Sequence, residues 1–346
     1  IPMGVKRVVF GNKINQPLKI GSIPDGVESI VFGNRFNNSV TPQGIIPTSC
    51  KSIVFGEEYN KKLTIGSLPD SLEYLSFGSE FNEEIQIGEI PNRVQTIKFG
   101  RKFNQLINEH VLPQSVTSIT FGEWYNKILL PHSLPPFLEY LALGSSYNRP
   151  IKDVIPASLK SLSLGGYFNQ TLAEGDLPLS LESLVFSNNF NKPIRVGSRL
   201  VIPPNVHTIV FGNGFNQALY EGDLPLSLTS LSFGQCFNQI LNKGCIPPNV
   251  HTLVFGNSFN QTLNKGDLPP SITSLSFGQW FNQPIRDVIP PSITSLSLGN
   301  KFDQDSYKLL IALPLLETLK IGENFDPKFK NGIPSSLHTL IIPTHY

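Results

Sequence analysis

The sequence predicts a solenoid of stacked coils, each adding one short strand to a parallel sheet, with little helix on the convex side. Three observations predict it. A unit of 22 residues recurs along nearly all of the 346-residue chain, each unit holds one L-x-x-L-x-F stretch, and the residues joining these stretches are turn formers. Units that cannot bury an apolar face alone bury it against their neighbours. The expected organisation is therefore a single repeat domain over residues 1–346, although the length alone suggests two or three domains.

Each unit is phased on the residue that ends its strand, from Phe10, Phe32 and Phe55 through Leu298 and Ile321, which gives fifteen coils; Ile333 opens a partial sixteenth. Eight residues before the phasing residue stands Pro in fourteen coils, beginning with Pro2, Pro24 and Pro47. Apolar residues follow at minus five, minus two and zero, as in Leu72, Leu75 and Phe77. The alternation at the end of that stretch, with its Val, Ile, Ser and Thr, reads as a short strand. Gly comes next in fourteen coils, Ser187 being the exception. It either supplies a positive φ or lets a neighbouring backbone approach closely.

Four residues after the phasing residue stands an aromatic in fourteen coils, and five after stands Asn in thirteen, replaced in the last two by Asp303 and Asp326. The thirteen are Asn15, Asn37, Asn60, Asn82, Asn104, Asn126, Asn148, Asn169, Asn191, Asn216, Asn238, Asn260 and Asn282. A carboxamide offers two donors and one acceptor oxygen, so a stacked column of them suits a buried ladder that satisfies turn backbone. On that reading Asn148→Ala destabilises by about 1–3 kcal/mol. The three N-x-S/T sequons at Asn37, Asn169 and Asn260 fall on rungs, and burial would make them incidental. An aliphatic at plus eight, such as Leu63 or Ile285, closes the coil. The coil containing Gly197 to Val201 has 25 residues, and its three extra residues should bulge from the loop side.

Composition narrows the function. Lys and Arg number 27 against 26 Asp and Glu, a net charge of +1, which lacks the footprint of a nucleic-acid or anionic-membrane binder. Only 15 % of residues are charged, while there are 28 Gly, 29 Pro and 24 Phe, a balance unlike that of a helical enzyme. No apolar run is long enough for a membrane span, and no leader pattern opens the chain. Ile1 points to a stretch of a longer product. Three cysteines make no disulfide framework, so an intracellular, reducing compartment, the cytoplasm, fits. Cys50 stands where other coils carry Leu or Val and reads as a small buried hydrophobe; Cys236 and Cys245 lack metal or redox spacing.

No phosphate-binding loop, nucleophile elbow or zinc-protease string occurs. His207 and His251 share a column two coils apart, about 10 Å by strand spacing and too far to ligate one zinc. The expectation is a chain without catalytic residues, metal or cofactor. Candidate binding residues are Tyr74, Lys98, Trp124 and Tyr140 in coils four to seven, with Tyr167 and Trp280 on the ridge after the turn Gly. Aromatics exposed among hydroxyls are the usual anchors of protein interfaces. The nearby charges Glu57, Glu58, Glu80, Arg101 and Lys102 read as solvated surface.

The F-N-x-P-I strings at Phe190 to Ile194 and Phe281 to Ile285, inside the L-P-x-S-L-x-S-L-x-F-G frame, resemble the FNIP repeat family over essentially residues 1–342. The resemblance implies a leucine-rich-repeat-like right-handed superhelix that binds proteins, of a type found in social amoebae and giant DNA viruses. Asn here follows the last strand apolar residue by five positions rather than the three of common leucine-rich repeats, so their loop geometry does not carry over. Some relatives carry an F-box, which makes the substrate-recognition half of a ubiquitin-ligase adaptor one alternative. Self-association into a homo-oligomer, through the uncapped end at Val5 to Phe10 or a sheet face, is another. The end from Tyr307 to Leu313, with Pro343 in place of Gly, reads as a partial cap.

Overall fold

The structure is a computed structural model that describes residues 1–197, 199–285, 287–304, 313–324 and 334–343. The stretch from Tyr307, the Asp326 rung and the opening of the partial coil at Ile333 lie outside the described residues. The chain packs as two compact units, residues 1–168 and 169–346. Each is a right-handed β-solenoid with one parallel strand per coil. No α-helix occurs among the described residues.

The first unit holds β1 (Arg7–Val9), β2 (Ser29–Val31), β3 (Ser52–Val54), β4 (Tyr74–Ser76), β5 (Thr96–Lys98), β6 (Ser118–Thr120), β7 (Tyr140–Ala142) and β8 (Ser161–Ser163). They pair in parallel and in sequence order, each position against the same position of the next coil, as in Ser52↔Tyr74 and Ile53↔Leu75. The second unit holds β9 (Ser183–Val185), then β10 (Arg195–Val196) and β11 (Arg199–Leu200), which form an antiparallel hairpin of their own. Its sheet continues with β12 (Thr208–Val210), β13 (Ser230–Ser232), β14 (Thr252–Val254), β15 (Ser274–Ser276), β16 (Ser295–Ser297), β17 (Thr318–Lys320) and β18 (Thr339–Ile341). The bulge expected near Gly197 is the β10–β11 hairpin, which leaves β9 and β12 directly paired.

Three residues suffice for a strand because both neighbours supply ladder bonds and three turns close the coil. The Pro turn bonds, for example, Leu72 N–H to the Pro69 carbonyl, and the Gly turn Phe81 N–H to the Gly78 carbonyl. The third turn bonds Ser67 N–H to the Thr64 carbonyl. A side chain at its end caps it: Asp223 accepts from Tyr220 N–H at 2.8 Å and Glu89 from Gln86 N–H at 2.8 Å. That turn needs a left-handed residue, supplied by Gly66, Gly88, Gly222 and Gly244, with His110 and His132 at φ 61° and 57° in its place.

The Gly that ends each strand has the other role. A Cβ on Gly100 would lie 1.6 Å from the Gly78 carbonyl oxygen, and the equivalent distance is 1.7 Å at Gly78 and 1.8 Å at Gly122. The column is glycine because each turn sits against the backbone of the turn beneath it. In the first described coil, a Cβ on Gly11 would meet only the Ile14 side chain, at 4.0 Å.

Inside, the middle residue of each strand is buried and two ring columns fill the coil. The phasing ring and the plus-four ring of one coil stack face to face, as Phe77 and Phe81 do with centroids 3.9 Å apart. Each also stacks on its counterpart one coil away, Phe81 on Phe103 at 6.0 Å. The hydroxyls of Tyr59 and Tyr125 are buried without a hydrogen-bond partner, and burial pushes both phenols far above their usual value. Keeping an unpaired hydroxyl from water costs about 1–3 kcal/mol. Tyr125→Phe is therefore expected to hold or raise stability, by up to about 1 kcal/mol, read as an unchanged or higher urea midpoint.

The Asn column forms a ladder, but not a buried one. Each rung's Oδ1 accepts the backbone N–H of the rung above, from Asn37 to Asn15 at 2.9 Å through Asn126 to Asn104 at 3.0 Å. In the second unit the bonds run from Asn191 to Asn169 at 3.1 Å through Asn282 to Asn260 at 2.9 Å. The expectation of burial is corrected: Asn82, Asn148, Asn191 and Asn260 are exposed and most other rungs half-buried. The aromatic before each rung takes the interior, so the next residue points to the flank, where Oδ1 reaches the coil above along the rim. Burial therefore does not shield the sequons, since Asn37 and Asn169 are half-buried and Asn260 exposed. Glutamines beside the rungs add a second bond, as Gln261 donates to Asn238 Oδ1 at 3.1 Å. Because Asn260 N–H can turn to water when Asn238 is truncated, Asn238→Ala is expected to cost about 1 kcal/mol, the lower end of the range for a lost bond. A urea midpoint at unchanged slope measures it.

A third ladder had no reading from the sequence. The Ser of the L-P-x-S-L frame donates its hydroxyl to a carbonyl of the preceding coil: Ser71 to Cys50 and Ser271 to Val250, both at 2.7 Å. Asn205 and Asn249 replace it, donating at 2.9 Å to Leu179 and Leu226.

Candidate functional site

The strand residues on either side of the buried one face outward, and the first unit presents there Ser, Thr, Val and a few large side chains. Tyr74, at the start of β4, and Lys98, at the end of β5, are brought together: the Lys98 ammonium stands 5.7 Å from the centre of the Tyr74 ring. Tyr140 opens β7 three strands on, about 14 Å away at parallel-strand spacing. Ser118 in β6 is its direct partner. Tyr140 is 40 % exposed.

Trp124 lies beyond the strand, on the turn after β6, because its place three past the phasing residue falls on the lateral ridge. It is 44 % exposed, with the Arg101 guanidinium 5.7 Å and the Lys102 ammonium 5.6 Å from its ring centre. Arg101 also donates to Glu123 at 2.8 Å, and Lys102 pairs with Glu80. The two cations read from sequence as solvated surface are thus organised around an indole, and their spacing of 22 to 23 residues before Trp124, one coil, carried that signal. Tyr167 is exposed on the same ridge two coils further. Trp280 belongs to the second unit, with Lys301 5.8 Å from its ring. The structure therefore makes two small clusters in the first unit, Tyr74 with Lys98 and Trp124 with its cations, and a separate pair of Trp280 with Lys301 in the second.

Cys50 is buried, its thiol pushed up to about 11 by desolvation. Cys245 is buried as well and Cys236 exposed. Among the described residues no group of three or more His, Cys, Asp or Glu could hold a metal ion, and no helix is long and apolar enough to cross a membrane.

The sequence pattern of the family described as FNIP Repeat matches residues 1–35, 36–80, 81–123, 125–167, 168–214, 199–236, 215–258, 237–279 and 259–301. The chain belongs to the FNIP-repeat family. This FNIP-repeat chain is similar to CroV588, solved as a circular LRR protein, with 34 % identity and a TM-score of 0.84 over 99 % of the chain. The chain spans 57 % of the length of CroV588. YopM of Yersinia pestis, a leucine-rich effector, matches at 19 % identity and TM-score 0.57 over 98 % of the FNIP-repeat chain and 89 % of its own. TLR13, solved in a complex with ssRNA13, matches at 15 % identity and TM-score 0.57 over 97 % of this chain and 54 % of its own. The last two share the fold. No curated protein matches the FNIP-repeat chain.

Proposed function

We propose that the chain is a non-enzymatic scaffold that binds a protein partner through the first unit, with Tyr74, Lys98, Trp124, Tyr140 and Tyr167 as contacts. The observation that carries this reading is the placing of Lys98 against the half-buried Tyr74 ring on a strand face of otherwise small side chains, and of Arg101 and Lys102 against the exposed Trp124 ring on the ridge beside it. Aromatics and cations are the side chains that dominate interface energetics, and rings already flanked by Lys98, Arg101 and Lys102 lose little freedom on binding. The near-neutral charge favours a protein over a nucleic acid as that partner. A ubiquitin-ligase adaptor role would use the same face and differ in what the wider polypeptide attaches to it.

The test is cross-linking and mass spectrometry in the native cell with the wild-type chain, Tyr74→Ala/Tyr140→Ala, Trp124→Ala and Trp280→Ala. The first two variants are expected to lose a shared partner at least tenfold while Trp280→Ala keeps it. Partners unchanged in the first two would refute the proposed face.

A further inference from the structure

One column of the repeat differs in character between the units. Seven residues before the phasing residue stand Asp25, Thr48, Asp70, Asn92 and Gln114 in five coils of the first unit. The same position in five consecutive coils of the second holds Leu179, Pro204, Leu226, Pro248 and Pro270. All five are exposed, and both leucines are 70 % exposed. They line a groove of about 1410 Å³ together with the aliphatics that directly precede the turn Pro of each coil, Leu177, Ile202, Leu224 and Ile246. The fold does not require this. Five of the eight coils of the first unit build the same turn with polar residues and the others with Met3, Pro136 and Ala157. Proline suits this turn, so it is the exposed Leu179 and Leu226 that are surplus to the solenoid and mark a contact surface.

The charges on the opposite rim suggest what covers it. Glu221 stands one coil before Lys243, each five residues ahead of its stripe residue, Leu226 or Pro248. Both are exposed, and no ion pair joins either to a described residue. The Glu221 carboxyl carbon lies over Gly244, 3.0 Å from where its Cβ would be, so the acid is held along the rim. Consider two copies packed stripe to stripe about a two-fold axis lying in the interface between these coils and perpendicular to the solenoid. That operation reverses coil order but keeps each rim against the same rim. It sets Leu226 against Pro248 of the other copy and Glu221 against the other copy's Lys243, twice over.

We infer that the Leu179 to Pro270 stripe is the interface of an antiparallel homodimer of this chain, with Glu221 and Lys243 setting its register. Five coils at parallel-strand spacing make a stripe about 24 Å long. That length gives an interface at the small end of those known, so a weak dimer is expected and the test runs to high concentration. It is independent of the binding face proposed above, whose residues are all in the first unit.

Sedimentation velocity on the full chain from about 5 to 500 µM, at low ionic strength so that the charge pairs are little screened, tests it. A monomer–dimer equilibrium is expected. L226D, an exposed position whose near-ultraviolet circular dichroism should stay as in the wild type, is expected to weaken dimerisation at least tenfold. E221K and K243E should each weaken it about fivefold or more, by opposing like charges, and the double variant E221K/K243E should restore it to within about threefold. A chain still monomeric at 500 µM overturns the inference. So does a dimer indifferent to L226D, which would place the contact elsewhere, or a double variant no better than the single ones, which would remove the antiparallel register.

Discussion

Gly100→Ala is expected to be severely destabilising while Gly11→Ala, the same change in the same column, is nearly silent. At Gly100 the new methyl carbon would fall 1.6 Å from the Gly78 carbonyl oxygen and 2.5 Å from its carbon. Both are backbone atoms fixed by ladder bonds above and below, so no side chain can move to make room. The coils of Gly78 and Gly100 must separate by more than 1 Å, which breaks the bonds from Lys102 N–H to the Ser79 carbonyl and from Phe77 N–H to the Lys98 carbonyl. A loss of about 4 kcal/mol or more is expected, the range reserved for steric conflict and broken networks. Gly11 has open space at the corresponding point, and Ala there should change stability by no more than about 0.5 kcal/mol. Urea or thermal unfolding of the two variants side by side measures this, and equal losses would remove close backbone approach as the reason for the column.

The second large effect belongs to the ring columns. Phe237 is fully buried, 3.9 Å from Phe233 between centroids and between Phe215 at 6.2 Å and Phe259 at 6.1 Å. Phe237→Ala empties a site whose walls are rings held by their own coils, so little collapse can refill it, and a cost of about 3–5 kcal/mol is expected. In the neighbouring column the protein already substitutes Leu143, Leu164 and Leu298 for the phasing aromatic. Phe277→Leu should accordingly cost under about 1.5 kcal/mol. If the alanine variant lost no more than the leucine variant, ring stacking would not be what fills the coil.

The frame itself was readable because periodicity survives in a string of letters. Leu75 and Ile97 recur at one phase, so the strand, its buried middle residue and the parallel sheet follow. Which of two jobs a glycine does was not readable: Gly100 and Gly244 are the same letter, yet one permits close approach and the other a left-handed turn, and only the neighbouring coil's position decides. The Asn rungs show a related limit. Spacing reveals that Asn126 stacks on Asn104, but not that the column runs along the rim, because a residue beside a core aromatic can point either inward or sideways. In the candidate site, the ring-bearing residues were evident from their rarity. The cations beside Trp124 went unread although their one-coil spacing held the signal, since Arg101 and Lys102 come near the indole only through the stacking of one coil on the next. The Leu179 to Pro270 stripe escaped for the opposite reason: Leu and Pro are so common in this repeat that their exposure drew no notice.

The glycine column also constrains how such a chain can change length. A residue added between the strand and its turn would shift that turn off the one beneath, so the coils of 23 residues from Phe32 to Phe55 and of 21 from Leu143 to Leu164 take up their single-residue changes elsewhere in the loop. The 25-residue coil shows where a longer addition is allowed: its extra residues leave the stack as β10 and β11, and Phe186 and Phe211 still stack with centroids 4.9 Å apart. New loops, and any specificity they bring, can therefore be acquired at that outer corner without renegotiating the sheet.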